Sequence, residues 1–490
     1  MKNTLFPLLA FCLLLLAACG DDDKIVIPAE SIAVDKAVVF LKVGEEVLLE
    51  ARVLPENTTD VPVGWKSEDA SVVQVDASGK IRGLKEGATQ VIAKAGGKHA
   101  VCKVYVISDT PSSVSKRTVL VYLAADNSLG GQLNVHFARE DVEEMKAGMG
   151  KLAGEGFHLL VYKDFYSGLA DPVLVEIKQN RHGKVVEEVV KTYEDRNSVG
   201  VAEMQEVFGD VFANPAFQAD SYGFVYWSHG EGWIPYPTPD TRWIGQDVGM
   251  GDKRMNLSEF VEVLNSVPAL HFDFLMFDAC FMQSVEVVYE LRRFADYFIG
   301  SPTETPGPGA PYDEIVPLMF VSQGAADLAE AYYKVYKSVY DEGKGISNDN
   351  WTGGVSMTVT RSAAMEHLAA VTRKCLQGVG KASSVMLEKV LFDYDKRISR
   401  DGHVGYYDCQ QLMEKLLSAE SFAQWKAAFD EALVFWKTTP KNFSQFVGMF
   451  NMTGAHGVSH YLPGNLSGDK AAAYRELSWY EAAGLSQLGW

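Results

Sequence analysis

Cysteine is scarce in this chain. There are six in 490 residues, and none stands in a Cys-x-x-Cys or other metal-ligand spacing. That excludes a dense disulfide framework and a thiolate zinc site. Cys12 and Cys19 fall in the N-terminal apolar stretch. Cys102, Cys280, Cys375 and Cys409 remain, which allows one disulfide without demanding it. Basic residues are also short: 45 Lys and Arg against 64 Asp and Glu, a formal net charge of −19. A chain of that sign lacks the footprint for a phosphate backbone, so no nucleic acid is expected as partner. Beyond the N-terminus no run is long and apolar enough to span a bilayer, which takes about 20 residues. No Asp/Glu spacing matches a calcium loop, and no paired carboxylates form a recognisable glycosidase motif.

The N-terminus carries an address. Met1-Lys2-Asn3 precedes an apolar run from Leu5 to Ala18. It is too short to span a bilayer and suits a signal-peptide core. It ends in Leu16-Ala-Ala-Cys19-Gly20, which resembles the bacterial lipobox, where Cys19 would be lipidated and become the mature N-terminus. Asp21-Asp-Asp23 follows. It resembles a surface-export signal of some Gram-negative lipoproteins, and it also reads as a solvated spacer. The resemblance implies a membrane attachment through lipid in the outer membrane, at the cell surface or on the periplasmic face.

Two textures follow. Residues 20–107 hold short alternating runs (Ile32–Val34, Glu46–Glu50, Val72–Val75, Gln90–Ala93, Ala100–Val106) separated by turn residues, the pattern of an all-β sandwich. Leu41-x-Val-Gly44, Leu54-Pro-Glu-Asn-Thr58, Trp65-x-Ser67 and Gly79-x-Ile-x-Gly83 resemble the bacterial immunoglobulin-like modules of surface proteins. A spacer role is the default for such a module. Residues 108–116 form a polar linker. From 117 to 490 the texture is strand, helix, strand: Thr118–Ala124, a helix within 131–152, Phe157–Tyr162, then a hairpin about Arg181-His182-Gly183. This predicts an α/β open sheet with helices on both faces. Later strands are expected at 353–359 and 457–462, with a helix-rich stretch from Ala363 to Trp436.

Two strand ends carry the chemistry. Tyr222–Trp227 runs into Ser228-His229-Gly230, and Phe272–Phe277 runs into Asp278-Ala-Cys280, with Cys280 51 positions after His229. In a parallel sheet such ends emerge along one edge, where ligands bind. Adjacent strands lie about 4.8 Å apart, so an imidazole and a thiol can face each other. A neutral imidazole can take a thiol proton and return it to a leaving amine. The N–H groups of Gly230 and Cys280 are available for a tetrahedral oxyanion. Asp278 would share a strand face with Cys280 if the strand ran on. Its charge would then disfavour the thiolate, and a cationic substrate group would relieve it. His271 is at the wrong end of its strand. Asp126 stands at the same sheet edge and either orients a loop or lines the site. Glu304 reads as an exposed loop acid.

Trp227-Ser-His229-Gly230, Phe277-Asp-Ala-Cys280 and Val121-Tyr-Leu-Ala-Ala-Asp126-Asn127 resemble the motifs of clostripain-like cysteine peptidases, within the caspase–gingipain–legumain group. Tyr312-Asp313 and Gly457–Pro463 resemble later segments of the family. The resemblance implies a caspase-like sheet, Cys280 as nucleophile and His229 as general base. It also implies Asp278 lining a pocket for Arg or Lys, so that peptide or protein substrates are cut after basic residues. Self-cleavage between the two motifs is implied as well, with Arg242, Lys253 and Arg254 the basic residues available. Ca²⁺ dependence is found in part of the family, but no motif here supports it, and no cofactor is expected. The rival readings are cleavage after Asp or Asn, a non-catalytic surface adhesin on a peptidase scaffold, and a carbohydrate-system protein.

Overall fold

Val119 to Ala125 is apolar at every position, so alternate side chains face opposite sides of the strand. Such a strand is stable only with a packed layer on each face. In the computed structural model it becomes the centre of a nine-stranded sheet. The structure describes residues 27–490 except 37, 60–61, 86, 108–114, 133, 153–155, 167–169, 181, 235–242, 322–324, 344–353, 398–402, 404 and 465–468. The signal segment, Cys19, the acidic triplet, most of the linker and Arg242 lie outside the described residues.

The sheet strands, in chain order, are β1 (Ser115–Ala125), β2 (Phe157–Phe165), β3 (Val173–Gln179), β4 (Val185–Thr192), β5 (Ala219–Trp227), β6 (Phe272–Asp278), β7 (Ala295–Gly300), β8 (Ser356–Arg361) and β9 (Leu433–Thr438). Their spatial order is 4-3-2-1-5-6-7-8-9. Strands 2-1-5-6-7 are parallel. Antiparallel pairs extend both edges. The chain leaves β1 for β2 on one side and later returns to β5 on the other. That reversal opens a crevice at the carboxyl ends of β1 and β5.

Both faces are covered. Val119, Val121 and Leu123 pack against α1 (Phe137–Lys151), α2 (Tyr312–Val321) and α3 (Ala325–Asp341) through Val142, Met145, Ile315, Met319 and Leu328. Leu120, Tyr122 and Ala124 meet the opposite layer, which includes Phe208, Phe260, Val288 and Leu368. Two expected elements differ. Ser459–Tyr461 pairs with Tyr406–Asp408 outside the main sheet. The stretch expected to be helical through Trp436 ends instead in edge strand β9. Leu433-Val-Phe-Trp436 follows the amphipathic helix Ala419–Ala432 with no Gly or Pro between, so the pattern carries no boundary.

The N-terminal module is the expected sandwich. One sheet has the order Val38–Lys42, Lys98–Ile107, Gly87–Ala95, Gly64–Ser67, and a three-stranded sheet has the order Glu46–Leu48, Lys80–Gly83, Val73–Val75. Leu41, Val73, Ile81, Val91 and Cys102 are fully buried in its core. Cys102, Cys280, Cys375 and Cys409 are all free thiols. No helix among the described residues is long and apolar enough to cross a membrane.

Candidate active site

Trp227 is the register partner of Asp278. His229 and Cys280, each two positions further on, therefore leave the sheet edge side by side. Both line one cleft with Trp227, Asp278, Glu304, Thr305, Gly309 and Gln445. Ser228 anchors the His side: its hydroxyl donates to the Ala124 carbonyl at 2.7 Å, joining the ends of β5 and β1. The Ser128 hydroxyl lies 2.9 Å from His229 Nε2 and fixes the ring. Burial, and then the Arg254 guanidinium, push the His229 pKa down to about 4. The imidazole is thus neutral and proton-accepting at pH 7.

Cys280 sits in the turn after β6. Phe281 follows at φ 60°, a conformation bulky residues rarely adopt outside functional turns. The thiol is pushed up to about 11 by burial, and then by the Glu304 carboxylate, with Glu231 contributing less. Thr305 opposes this: its N–H donates to Sγ at 3.3 Å and its hydroxyl lies 3.5 Å away. The resting pair is therefore thiol and neutral imidazole. The charges that raise the thiol most are those of Glu304 and then Glu231. The strand ends at Asp278 and the chain turns, so the shared strand face expected from sequence does not form. The acid that disfavours the thiolate is Glu304, which lines the cleft rather than an exposed loop. Neutralising it removes a negative charge near sulfur and stabilises the thiolate. Glu304→Gln is expected to speed iodoacetamide alkylation of Cys280 several-fold at pH 8. An unchanged rate in a Cys102/Cys375/Cys409→Ala background would contradict this.

Asp278 is 4% exposed at the floor of the cleft. Its Oδ2 accepts from the Ala310 N–H at 2.8 Å and the Tyr312 hydroxyl at 3.0 Å, and Oδ1 accepts from the Tyr332 hydroxyl at 3.2 Å. Burial pushes its pKa up to about 6, and these donors hold it back. It remains anionic at pH 7. Neighbouring Asp141 is buried, and burial and then the Asp278 charge push its pKa well above the ordinary carboxylate value. Gly309 lets the wall close in. At φ +77°, a Cβ there would lie 2.9 Å from Asp278 Oδ2.

Gly230 is a second position that admits no side chain. A Cβ would fall 2.9 Å from both the Cys280 carbonyl oxygen and the Ala279 Cβ. Its bridge to Ile244 is made by flanking bonds, Gly245 N–H to the His229 carbonyl and Glu231 N–H to the Trp243 carbonyl. Gly230→Ala must push the His and Cys strands apart, at a cost of about 1–3 kcal/mol. Activity is expected to fall about 100-fold, because small misplacements at a reacting centre are that costly. Wild-type turnover by a folded Gly230→Ala protein would refute the close approach.

Among the basic residues offered for self-cleavage, Lys253 and Arg254 lie on a paired hairpin strand, Lys253–Met255 against Ile244–Asp247, rather than in an open loop. Lys253 is exposed. Arg254 is pinned over the Trp243 ring at 4.5 Å and to Asp252 at 2.9 Å, and Trp243 meets His229 edge-on. His271 pairs with Asp296 at the far end of its strand. Asp126 is buried, and its backbone carbonyl accepts from Val248. Sequence reasoning gave no role to Ser128, Thr305 or Tyr332, and it marked Tyr312 only as part of a segment resembling the family. Thr305 had a further signal, since it follows β7, the next strand end along the same edge.

A cleft of this kind, at the carboxyl edge of a 2-1-5-6-7 parallel core with Cys and His on neighbouring strand ends, defines a cysteine-peptidase fold. The model of the clostripain family matches residues 121–488, and that of the bacterial Ig-like domain (group 2) matches 28–104. The chain belongs to the clostripain family. It is similar to a secreted C11 cysteine protease of Bacteroides thetaiotaomicron solved with an irreversible peptide inhibitor: 42% identity, TM-score 0.66, covering 76% of this chain and 99% of that one. An inactive zymogen C11 protease of Parabacteroides distasonis matches at 26% identity and TM-score 0.62 over 76% and 99% of the two chains. Clostripain of Hathewaya histolytica is 28% identical over 225 residues, 41% of each chain. The curated relatives are matched over 10% to 41% of their own length.

Proposed function

We propose that this clostripain-family cysteine peptidase cleaves peptide bonds after Arg or Lys. The observation that carries the reading is an anionic, triply hydrogen-bonded Asp278 at the floor of the cleft that holds Cys280 and His229. A basic side chain would reach that carboxylate and set the next carbonyl beside sulfur. Cys280 Sγ then attacks the carbonyl carbon while His229 takes the thiol proton. The oxyanion is received by the N–H groups of Gly230 and Cys280. His229 gives the proton to the amine nitrogen, the C–N bond breaks, and a thioester remains. Water adds with its proton going to His229. The C–S bond then breaks, the acid leaves and the thiol is restored.

The Thr305 N–H favours the thiolate in that step. Nicking after Lys253 would release Arg254 from beside Trp243 and remove a cation that holds His229 down. Lipidation at Cys19 would anchor the enzyme to the outer membrane, with the Ig-like module as spacer. Hydrolysis of fluorogenic peptides ending in Arg, Lys, Asp and Asn tests the specificity. Turnover of Arg or Lys peptides supports the reading. Preference for Asp or Asn overturns it, and inactivity on all four after limited trypsin nicking favours a binding protein.

A further inference from the structure

An apolar hairpin tip borders this cleft and has no part in the chemistry above. Along the catalytic edge, His229 follows β5, Cys280 follows β6 and the loop 301–305 follows β7. β9 is antiparallel to β8, which is antiparallel to β7, so β9 also ends at this edge. It leads into a hairpin, Lys441–Ser444 against Gly448–Asn451. The tip is Gln445-Phe446-Val447, closed by Gly448 at φ 70°, a conformation glycine adopts freely. Phe443 and Gln445 line the cleft.

The tip is held in place. The Gln445 N–H donates to Glu304 Oε2 at 3.0 Å, and the Asn442 side-chain amide lies 3.2 Å from the Thr303 hydroxyl. Arg397 is paired with Glu231 at 2.9 Å. Its guanidinium lies 5.1 Å from the Phe446 ring and 5.7 Å from that of Phe281, the residue after the nucleophile. At about 3.3 Å per residue of an extended peptide, Phe446 stands about three residues from Cys280. Yet Phe446 and Val447 are each 42% exposed. Short hairpin tips favour Gly, Asn, Asp and Ser, whose polar groups and backbone freedom suit a turn in water. A single exposed apolar residue is ordinary. Two in succession, fixed at the rim of the cleft, present apolar surface to whatever lies in it.

We propose that Phe446 and Val447 form a subsite for an apolar side chain of the substrate, carried by one of the three residues before the basic one. The inference rests on the peptidase reading and extends it. His229 gives its proton to the leaving amine, so the peptide after the cut lies toward β5. The acyl part runs the other way along the edge, past the loop after β7 and toward the hairpin after β9, with neighbouring strands about 4.8 Å apart. An apolar side chain laid against Phe446 takes both surfaces out of water. An amide side chain in the same place gives up hydration for a ring that cannot replace it. The pair selects which basic sites are cut and touches none of the reacting atoms.

Two measurements test this. Peptides ending in Arg carry Leu, Phe, Gln or Gly at each of the three preceding positions in turn. Their binding to the full chain carrying Cys280→Ala is followed by fluorescence anisotropy. Their hydrolysis, with a fluorogenic group after Arg, is followed with the parent chain after limited trypsin nicking. At one position at least, Leu and Phe are expected to bind about tenfold more tightly than Gln, with a similar ratio in kcat/KM that arises mainly in KM. Phe446→Ala/Val447→Ala should shrink that ratio to about twofold or less, while Phe446→Leu, which stays apolar, should keep most of it. Both side chains are exposed, so the double variant should fold, with Tm within about 2 °C of the parent. No preference at any of the three positions, or one that survives in the double variant, overturns the inference. Selective binding lost in the double variant, with no hydrolysis by the parent, would support the subsite and overturn cleavage after Arg. Hydrolysis after Arg without selectivity would do the reverse.

Discussion

Cys280→Ala is expected to reduce hydrolysis of Arg and Lys peptides by at least about 10⁴-fold, to the background of the assay. The effect should be this large because Cys280 is the one thiol among the described residues that line the cleft. Among the described residues the other thiols, Cys102, Cys375 and Cys409, are buried elsewhere. Folding should survive, since alanine leaves only a small space at the partly exposed mouth of the cleft. A thiol-reactive peptide probe ending in Lys should label the parent chain and fail to label the variant. Labelling that persists in Cys280→Ala would assign the nucleophile wrongly. His229→Ala should come close to the same loss, because a thiol pushed up to about 11 is protonated at pH 7 and needs a base during attack. The two losses together should fall far short of their sum, as expected of residues acting as one unit.

Asp278→Asn is expected to lower kcat/KM for Arg and Lys peptides by about 10²–10³-fold, or about 3–4 kcal/mol. Peptides ending in a neutral side chain should be affected little. The substitution removes the partner of a desolvated substrate cation while nearly preserving shape. Its oxygen can still accept from Ala310 and Tyr312. An equal loss on neutral and basic peptides would show that Asp278 supports the cleft rather than reading the substrate.

Stability gives an independent check with a definite sign. A carboxyl whose folded pKa is about 6 against an ordinary 3.8 binds its proton more tightly when folded. Its burial therefore penalises the folded state above that window, and the penalty fades as pH falls through it. Asp278→Asn should thus melt at or above the parent temperature at pH 8, and that advantage should shrink toward pH 4. A variant that loses most of its stability at pH 8 would contradict this account.

The sequence by itself determined a great deal here. Alternating short runs and turn residues suffice for the N-terminal sandwich, because a strand half exposed to water must alternate. The apolar runs at 118–124, 222–227 and 272–277 suffice for a covered parallel core. Their abrupt ends at His229 and Asp278-Ala-Cys280 mark the cleft, because strand ends of such a core share one edge.

What the sequence could not carry is direction and distance. The turn at Ala279–Phe281 decides that Asp278 and Cys280 do not share a strand face, and it hands to Glu304 the charge effect that spacing had assigned to Asp278. The depth of Asp278, its tyrosine donors from 34 and 54 residues downstream, and the hold of Ser128 on His229 exist only once helices and loops have packed. β9 escaped notice because Leu433-Val-Phe-Trp436 follows a helix with no Gly or Pro between, and only pairing with β8 tells the two apart. The placement of Phe446 is the clearest case. Side-chain contacts act over a few ångströms, and Phe281 and Phe446, 165 positions apart, meet across Arg397 only when β9 joins the sheet and brings its hairpin to the catalytic edge.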